Sequence, residues 1–120
     1  MRFGVFYFIL LLTLLFAAGC EKKYHEHQPP TGEGSLVLDN RTSSDINLYL
    51  DGKYTNRVYA MDYRVIDLTP GAYRLVLEQR RGTKYFGTDI DVLEDRLTIL
   101  DIYDDGWQKY EVITTIRKPK

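Results

Sequence analysis

Short runs rich in β-branched and aromatic residues recur between residues 35 and 117, and turn residues separate them. Several runs alternate with the period of two that places one side of a strand against a core. Tyr73, Leu75 and Leu77 share one side in this way, while Arg74 and Glu78 point to the other. No stretch keeps a helical period of about 3.6 residues. The runs predict an all-β fold, a single small antiparallel β-sandwich of about seven strands: SLVLDN, INLYL, YRVIDL, AYRLVLEQ, YFGTDIDVL, LTILDIY and KYEVITTI.

The size and charge of the chain limit what it can be. Residues 35–117 comprise 83 residues, which suits one small domain with its own core. The formal net charge is −1 at pH 7, with 16 basic and 17 acidic side chains. A chain with so little excess charge has no electrostatic footprint for a phosphate backbone. We therefore expect no nucleic acid partner.

The Asp51-Gly52 pair predicts a hairpin, because glycine accepts the positive φ that tight hairpin turns require. A three-residue loop would pair Leu50 with Tyr54. It would also pair Ile46 with Val58. A two-residue loop would instead place Leu50 opposite Lys53 and Ile46 opposite Arg57. The first register sets apolar side chains against apolar side chains, so it is the one we expect.

The Thr69-Pro70-Gly71 segment predicts a second hairpin. Proline presets φ at the first central position of a turn, and glycine supplies the positive φ of a type II turn at the next. This turn would join YRVIDL directly to AYRLVLEQ as paired strands.

The first 19 residues have the three parts of a secretory signal peptide. Arg2 supplies a positive start, residues 3–19 carry no charge, and the run ends in Ala17, Ala18 and Gly19. A transmembrane helix needs about 20 apolar residues to cross a bilayer. We therefore predict a signal peptide over residues 1–19 rather than a membrane span.

The segment FAAGC, which ends at Cys20, resembles the lipobox of bacterial lipoproteins. The resemblance implies that Cys20, the only cysteine, carries a diacylglyceryl group with palmitate-type acyl chains, and that cleavage falls between Gly19 and Cys20. Lipidation removes a thiol that a secreted domain could not pair internally. An aspartate directly after the cysteine would resemble an inner-membrane retention signal, but this chain has Glu21 at that position. We therefore expect an outer-membrane anchor. We expect the domain on the periplasmic face rather than on the cell surface. The alternative is an ordinary signal peptide followed by an unmodified cysteine.

Residues 20–34 have the composition of a flexible, lipidated tether, because they are mostly polar and contain Pro29-Pro30 and two glycines. A short basic tail follows the domain at residues 118–120. Both histidines, His25 and His27, lie in the expected tether, where two ligands on a mobile segment make a weak metal site. We therefore expect neither a metal nor another cofactor.

Residues 34–102 resemble a PEGA domain, a small β-sandwich of surface and envelope proteins. The resemblance rests on an opening strand, a strand that runs into Asp51-Gly52, and a strand that ends at Pro70-Gly71. A strand led by Tyr73 and a closing pair around Glu94-Asp95 complete it. The resemblance implies a β-sandwich with a non-catalytic role, and it transfers no functional residue to this chain.

The sequence offers little for catalysis. Cys20 is assigned to lipid, both histidines lie in the expected tether, and no phosphate-binding glycine loop or nucleophile motif is present. Asp101, Asp104 and Asp105 could supply oxygen atoms to Ca²⁺, but their spacing differs from an EF-hand loop and is typical of an ordinary turn. We predict that the protein is not an enzyme.

Tyrosine and tryptophan are the remaining candidates for function, because an apolar ring with a polar tip suits binding surfaces. The candidate binding surface consists of Tyr49, Tyr59, Tyr63, Tyr103 and Trp107, and the alternative is that they are half-buried rim residues.

The predicted function is to bind or scaffold an envelope protein; the alternative is to bind peptidoglycan through the aromatic rings. Clustering of Tyr49, Tyr103 and Trp107 on one face would favour glycan. A long open edge strand beside an apolar patch would favour protein.

Overall fold

The computed structural model describes residues 22–120, and it confirms the predicted all-β sandwich. The predicted signal peptide and the lipidation site at Gly19 and Cys20 lie outside the described residues. Within residues 22–120, no helix is long and apolar enough to span a membrane. A 3₁₀ turn at Lys23–Glu26 precedes eight strands: β1 Gly34–Asn40, β2 Ile46–Leu50, β3 Lys53–Val58, β4 Tyr63–Leu68, β5 Gly71–Gln79, β6 Tyr85–Val92, β7 Leu97–Asp104 and β8 Tyr110–Arg117.

The strands form two four-stranded sheets. The first sheet has the order β4-β1-β7-β8, and the second has the order β3-β2-β5-β6. The strand beyond the expected seven is β3, the return arm of the Asp51-Gly52 hairpin. The prediction was an antiparallel sandwich, but β1 and β7 run parallel. The parallel pair forms because residues 93–96 cross between the sheets and bring β7 in beside β1 in the same direction.

The core lies between the two sheets. In β2 buried and half-buried residues alternate, as expected for a strand with one face on the core. In β1 all seven residues are buried, because this central strand is covered on its outer face as well. The buried side chains of the core come from the inner faces of the two sheets and belong to seven strands, all except β4: Leu36, Leu38, Ile46, Leu48, Leu50, Val58, Leu75, Leu77, Ile90, Val92, Leu100, Ile102 and Tyr110.

The β2–β3 hairpin combines a short loop with a bulge. Asp51-Gly52 forms a two-residue turn with φ values of 49° and 80°, and Leu50 pairs with Lys53. The expected three-residue loop is therefore wrong. A β-bulge farther along the hairpin shifts the register by one residue, so that Ile46 pairs with Val58 as expected. The bulge returns the apolar residues of both strands to the core face.

The Pro70-Gly71 segment does not close a hairpin, contrary to the prediction. β4 belongs to the first sheet and β5 to the second, so the chain changes sheets here. Gly71 is the first residue of β5, and its φ of 159° differs from the value near about +80° that a type II turn needs. The proline correctly predicts where β4 ends. It does not predict which sheet the next strand joins, because that depends on the packing of the whole sandwich.

Residues 22–27, which we name the N-terminal strap, pack against the outer face of the first sheet. Tyr24 is buried there in a second apolar cluster with Val37, Leu97 and Ile99. Residues 22–34 were expected to form part of a flexible tether; instead the strap contributes a buried ring to the domain. The outer face of β1 and β7 is apolar at these positions, and covering it removes that surface from water.

Gly34 begins β1 at a place where a side chain would not fit. A Cβ added there would lie 2.2 Å from the carbonyl oxygen of Leu93 and 2.7 Å from Cγ1 of Val92. We expect Gly34→Ala to lower the free energy of unfolding by about 1–3 kcal/mol, because the neighbouring backbone must shift. Urea unfolding of a soluble form measures the change. Gly87→Ala is the matched control, since a Cβ there has no neighbour closer than 3.4 Å. Equal losses in both variants would contradict the steric explanation.

Candidate functional site

The connections that follow β1, β3, β5 and β7 lie together at one end of the sandwich, which we name the loop end. The isolated pairing of Tyr85 with Lys109 joins the first residue of β6 to the connection after β7. The connections are residues 41–45, 59–62, 80–84 and 105–109. Four members of the predicted aromatic surface lie at or beside the loop end: Tyr59, Tyr63, Tyr103 and Trp107.

Tyr49, the fifth member, lies on the outer face of the second sheet. Its ring meets that of Tyr54 edge-on, with the ring centroids 5.8 Å apart. Partial burial and the nearby carboxylate of Glu78 raise the pKa of Tyr49. Tyr103 lies on the outer face of the first sheet, because it alternates with the core residues of β7. The thickness of the sandwich separates these two rings, so Tyr49, Tyr103 and Trp107 do not share a face.

The connection between β3 and β4 presents two large apolar side chains to solvent. Tyr59 is 46% exposed and Met61 is 68% exposed. The guanidinium carbon of Arg64 lies 5.8 Å from the centroid of the Tyr59 ring, which is a cation–π distance. Tyr59 belongs to the aromatic surface predicted from the sequence, whereas Met61 does not, since one methionine in a loop forms no pattern.

Tyr63 and Tyr103 are partly buried on the outer face of the first sheet. The ring of Tyr63 meets that of Tyr24 edge-on, with the centroids 5.1 Å apart, so it helps to hold the strap. The guanidinium carbon of Arg41 lies 5.7 Å from the centroid of the Tyr103 ring. Both rings already have partners within the domain, as the rim interpretation of the aromatic residues expects.

Trp107 is the most exposed aromatic side chain in residues 22–120, at 80%. Its backbone nitrogen donates a hydrogen bond to Asp105 at 2.8 Å, and Gly106 supplies a positive φ of 84° to the turn. Lys84 and Asp104 form an ion pair at 2.6 Å, which ties this connection to residues 80–84. These interactions hold Trp107 in a defined place at the tip of the β7–β8 hairpin.

Two polar side chains join the connections of the loop end. The side-chain nitrogen of Asn40 donates a hydrogen bond to the carbonyl oxygen of Val58 at 3.2 Å. The carboxylate of Asp45 accepts one from the backbone nitrogen of Ala60 at 3.0 Å, and this hydrogen bond lowers the pKa of Asp45. Each bond links segments that are far apart in the sequence. The loop end is therefore one continuous surface rather than four independent loops.

A buried carboxylate fastens the strap to the sheet. Asp39 is fully buried and accepts a hydrogen bond from the hydroxyl of Tyr24 at 2.8 Å. Lys22 Nζ donates to the same carboxylate, and Arg41 Nη2 lies 3.3 Å from it. Burial and the Asp39 carboxylate raise the pKa of Tyr24 well above its usual value. A buried charge is stable only with partners of this kind, and the strap supplies two of the three.

The strap is fastened a second time at Asp67. His27 Nε2 lies 2.7 Å from Asp67 Oδ1, and the hydroxyl of Ser35 donates to the same oxygen at 2.6 Å. Burial alone would raise the pKa of Asp67, but the hydrogen bonds from Ser35 and His27 outweigh it and lower this pKa. The backbone nitrogen of Lys120 donates to the carbonyl oxygen of His25 at 2.7 Å, so the basic tail also reaches the strap.

β8 is an edge strand of the first sheet with an uncharged centre. Residues 112–116 (VITTI) carry no charge, and Ile113 and Ile116 are 50% and 43% exposed. Glu111 and Arg117 flank this run in β8, whereas only two residues lie between Arg64 and Asp67 in β4, Asp89 lies within β6, and β3 carries a bulge. Charges and bulges are the devices that keep edge strands from pairing with other chains. Of the four edges in residues 22–120, β8 is the one best suited to accept another strand.

The loop end also carries a polar cleft of about 260 Å³, adjacent to the connection after β5. The carboxylates considered as calcium ligands do not line this cleft: Asp104 pairs with Lys84, Asp101 Oδ1 lies 3.4 Å from Arg41 Nε, and Asp105 accepts the hydrogen bond from Trp107. Within residues 22–120, no group of three or more His, Cys, Asp or Glu side chains is arranged to hold a metal ion. The residues that line the cleft are Ser43, Ser44, Asp45, Gln79, Arg80 and Arg81.

The roles of Tyr24 and Ile113 were not predicted from the sequence. Tyr24 is the only aromatic residue in the polar segment at residues 20–34, and that isolated ring was the available signal of a packing contact. Ile113 belongs to an uncharged run that is visible in the sequence. Its position on a sheet edge is not visible there, because strand order depends on long-range pairing.

No protein-family model matches the chain, and no curated protein sequence matches it. Among solved structures, the chain is similar to the N-terminal domain of AlgF from P. aeruginosa, with a TM-score of 0.54 and 17% sequence identity. The similarity covers 72% of this chain and 98% of that domain. At this identity the similarity shows a shared fold, a small β-sandwich, and nothing more. The resemblance to a PEGA domain stays a prediction.

We expect Tyr24→Phe to lower the free energy of unfolding by about 1–2 kcal/mol, because the buried carboxylate of Asp39 loses a hydrogen bond while the ring still packs. Urea unfolding of the soluble form measures the loss. Tyr63→Phe is the matched control: its ring belongs to the same cluster, and its hydroxyl makes no hydrogen bond within the described residues. A loss of the same size in the control would show that the hydrogen bond to Asp39 is not the cause.

Proposed function

We propose that this chain is a non-catalytic lipoprotein of the bacterial cell envelope, anchored in the outer membrane through Cys20, whose β-sandwich binds an envelope protein. The binding site is the open edge of β8. The observation that carries the proposal is the uncharged centre of this edge, where Ile113 and Ile116 are exposed and no bulge or charge blocks a partner.

An extended segment of a partner protein can add a strand to the first sheet beside β8. Backbone hydrogen bonds along the eight residues Tyr110–Arg117 would supply most of the affinity. Each such bond contributes about 0.5–1.5 kcal/mol net, so the length of the edge matters. Ile113, on the outer face of the sheet, would add an apolar contact with an alternate side chain of the partner.

The arrangement of the aromatic residues favours a protein partner over a glycan. A sugar-binding platform needs rings that face the same way, and Tyr49 and Tyr103 lie on opposite outer faces of the sandwich. Tyr103 is also covered by Arg41. Trp107 is the most exposed of the five predicted rings, since Tyr59 faces Arg64 and Tyr63 packs on Tyr24. One ring is a small platform for a polymer.

The anchoring part of the proposal rests on the resemblance of FAAGC to a lipobox and on the single cysteine. Lipid attached to Cys20 would hold the domain at a membrane, since each buried CH₂ contributes about 0.8 kcal/mol. A protein held in this way meets membrane-bound partners at high effective concentration, so a modest strand-pairing interaction is sufficient.

A photoreactive benzoylphenylalanine at Thr115 tests the edge in cells that produce the full-length chain. Thr115 and Ile113 lie on the same face of β8, opposite Ile99 and Asp101 of β7. We expect ultraviolet light to link this position to a distinct envelope protein. Ile113→Lys should abolish the link, because a lysine on an edge strand opposes the addition of another strand.

The control for this experiment places the same photoreactive residue at Tyr54, which is 55% exposed on the edge strand β3. No link is expected there. A link that survives Ile113→Lys, or that forms equally from position 54, would reject the edge of β8 as the binding site. A product of twice the mass of the chain would assign the edge to self-association instead.

Metabolic labelling with palmitate tests the anchor separately. We expect the full-length chain to incorporate the label and to fractionate with the outer membrane, and we expect Cys20→Ala to lose both properties. The double variant Cys20→Ala with Ser43→Cys restores a thiol on an exposed loop and should remain unlabelled. An unlabelled wild-type chain would overturn the anchor without affecting the result for β8.

A further inference from the structure

The strap determines where the chain enters the domain. Lys22 pairs with Asp39, the residue before the last of β1, and so lies over the half of the outer face nearer the loop end. The strap then runs away from the loop end, because His27 pairs with Asp67, which lies beside the start of β1. The described chain therefore begins near the loop end rather than at the opposite end of the sandwich.

Only one residue separates Lys22 from Cys20. An extended chain spans at most about 3.3–3.6 Å per residue, so the Cα atoms of these two residues lie within about 7 Å of each other. If Cys20 carries the lipid, as the proposed function states, its acyl chains must enter the bilayer close to the loop end. The domain then cannot stand about 20 Å away, as a flexible tether of this length would allow.

The side chains that the loop end exposes suit the interface of a bilayer. Trp107, Met61 and Tyr59 are the large apolar side chains that its connections present to solvent. Tryptophan and tyrosine favour this interface because their rings sit among acyl chains while their polar groups stay hydrated. The hydrogen bonds of Asn40 and Asp45 hold the connection that carries Tyr59 and Met61, and the Lys84–Asp104 ion pair holds the connection that carries Trp107. These side chains can therefore meet a flat surface together.

Basic side chains outnumber acidic ones in the connections of the loop end, although Arg41, Arg80 and Lys84 each pair with a carboxylate there. The opposite end carries the basic tail as well as acidic turns, so charge alone does not distinguish the two ends. Basic side chains on a surface favour contact with anionic phospholipid. The connections of the loop end carry three acidic side chains and five basic ones: Arg41, Arg80, Arg81, Lys84 and Lys109.

We propose that the loop end is a second membrane contact, which lies against a phospholipid surface with Trp107 and Met61 in the lipid interface. This inference rests on the proposed lipid anchor and goes beyond it, because it assigns an orientation to the domain. β8 begins at the loop end and runs away from it, so its edge remains open beside the domain. A partner would meet that edge from the side, parallel to the membrane.

Trp107 is the only tryptophan of the chain, so its fluorescence reports on the loop end alone. The full-length lipoprotein, purified from membranes, is reconstituted into vesicles of phosphatidylethanolamine and phosphatidylglycerol. We expect the emission maximum to move to shorter wavelength relative to the unlipidated Cys20→Ala chain in solution. Quenching by acrylamide should fall, and lipids brominated along their acyl chains should quench the emission.

Met61→Asp tests whether the connection between β3 and β4, at the other edge of the loop end, takes part. Met61 has a φ of 58°, a conformation that aspartate tolerates, so the variant should fold. A charge in the lipid interface should reverse part of the wavelength shift and restore quenching by acrylamide. Tyr54→Asp is the matched control, since Tyr54 is similarly exposed but lies on the outer face of the second sheet, and it should leave the shift unchanged.

The outcomes separate the two proposals. A wild-type chain that carries no palmitate and does not float with the vesicles would overturn the lipid anchor on which the orientation rests. A chain that floats with the vesicles while acrylamide quenches Trp107 as strongly as in solution would overturn the membrane contact and leave the anchor intact. Equal effects of Met61→Asp and Tyr54→Asp would also overturn the contact at the loop end.

Discussion

β1 has no face that meets water, and the arrangement of the other elements follows from this. Its inner face packs on the second sheet, and its outer face is covered by the strap. Asp39 lies within this strand, so the fold has to supply cations and a hydroxyl to a carboxylate that solvent cannot reach. Lys22 and Tyr24 come from the strap and Arg41 from the next connection. The strap is therefore part of the domain and not an accessory to it.

The same interaction links the fold to the proposed function. A strap held at Asp39 brings the start of the described chain to the loop end, beside the exposed aromatic residues. It leaves β8, on the far side of β7 from β1, without cover. The contacts of one buried carboxylate thus decide which end of the sandwich is near the proposed lipid, while the strand order of the first sheet leaves the edge of β8 open.

Local signals in the sequence predicted the strands well and their partners less well. Alternation located the core face of β2 and β5, and Asp51-Gly52 located a hairpin. The bulge in that hairpin was not predictable, because it arises from the demand to bury Val58 after a two-residue turn. Pro70-Gly71 marked the end of a strand, but whether the next strand pairs with it or joins the other sheet is decided by the whole sandwich.

For the candidate binding surface too, the residues could be predicted from the sequence but their relative positions could not. Composition identified the aromatic residues, and the position of four of them near one end follows from strand topology that no short window contains. The strap was not predicted because its polar composition is typical of a linker. A single tyrosine can hold such a segment against the domain only when a partner for its hydroxyl, here a buried carboxylate, lies opposite. Its partner Asp39 gave no sign in the sequence, since an aspartate at the end of a strand usually faces solvent.

The sheet order has a consequence for how this chain reaches its folded state. All pairings of the second sheet lie between Ile46 and Val92, so that sheet can assemble from neighbouring segments. The first sheet needs Ser35 to meet Leu97, a contact that closes almost the entire domain into one loop. A chain that emerges from its N-terminus would expose the apolar strand β1 first, pair one of its edges with β4, and complete its cover only when β7 arrives. Until then the other edge of β1 lacks the partner that it has in the folded domain.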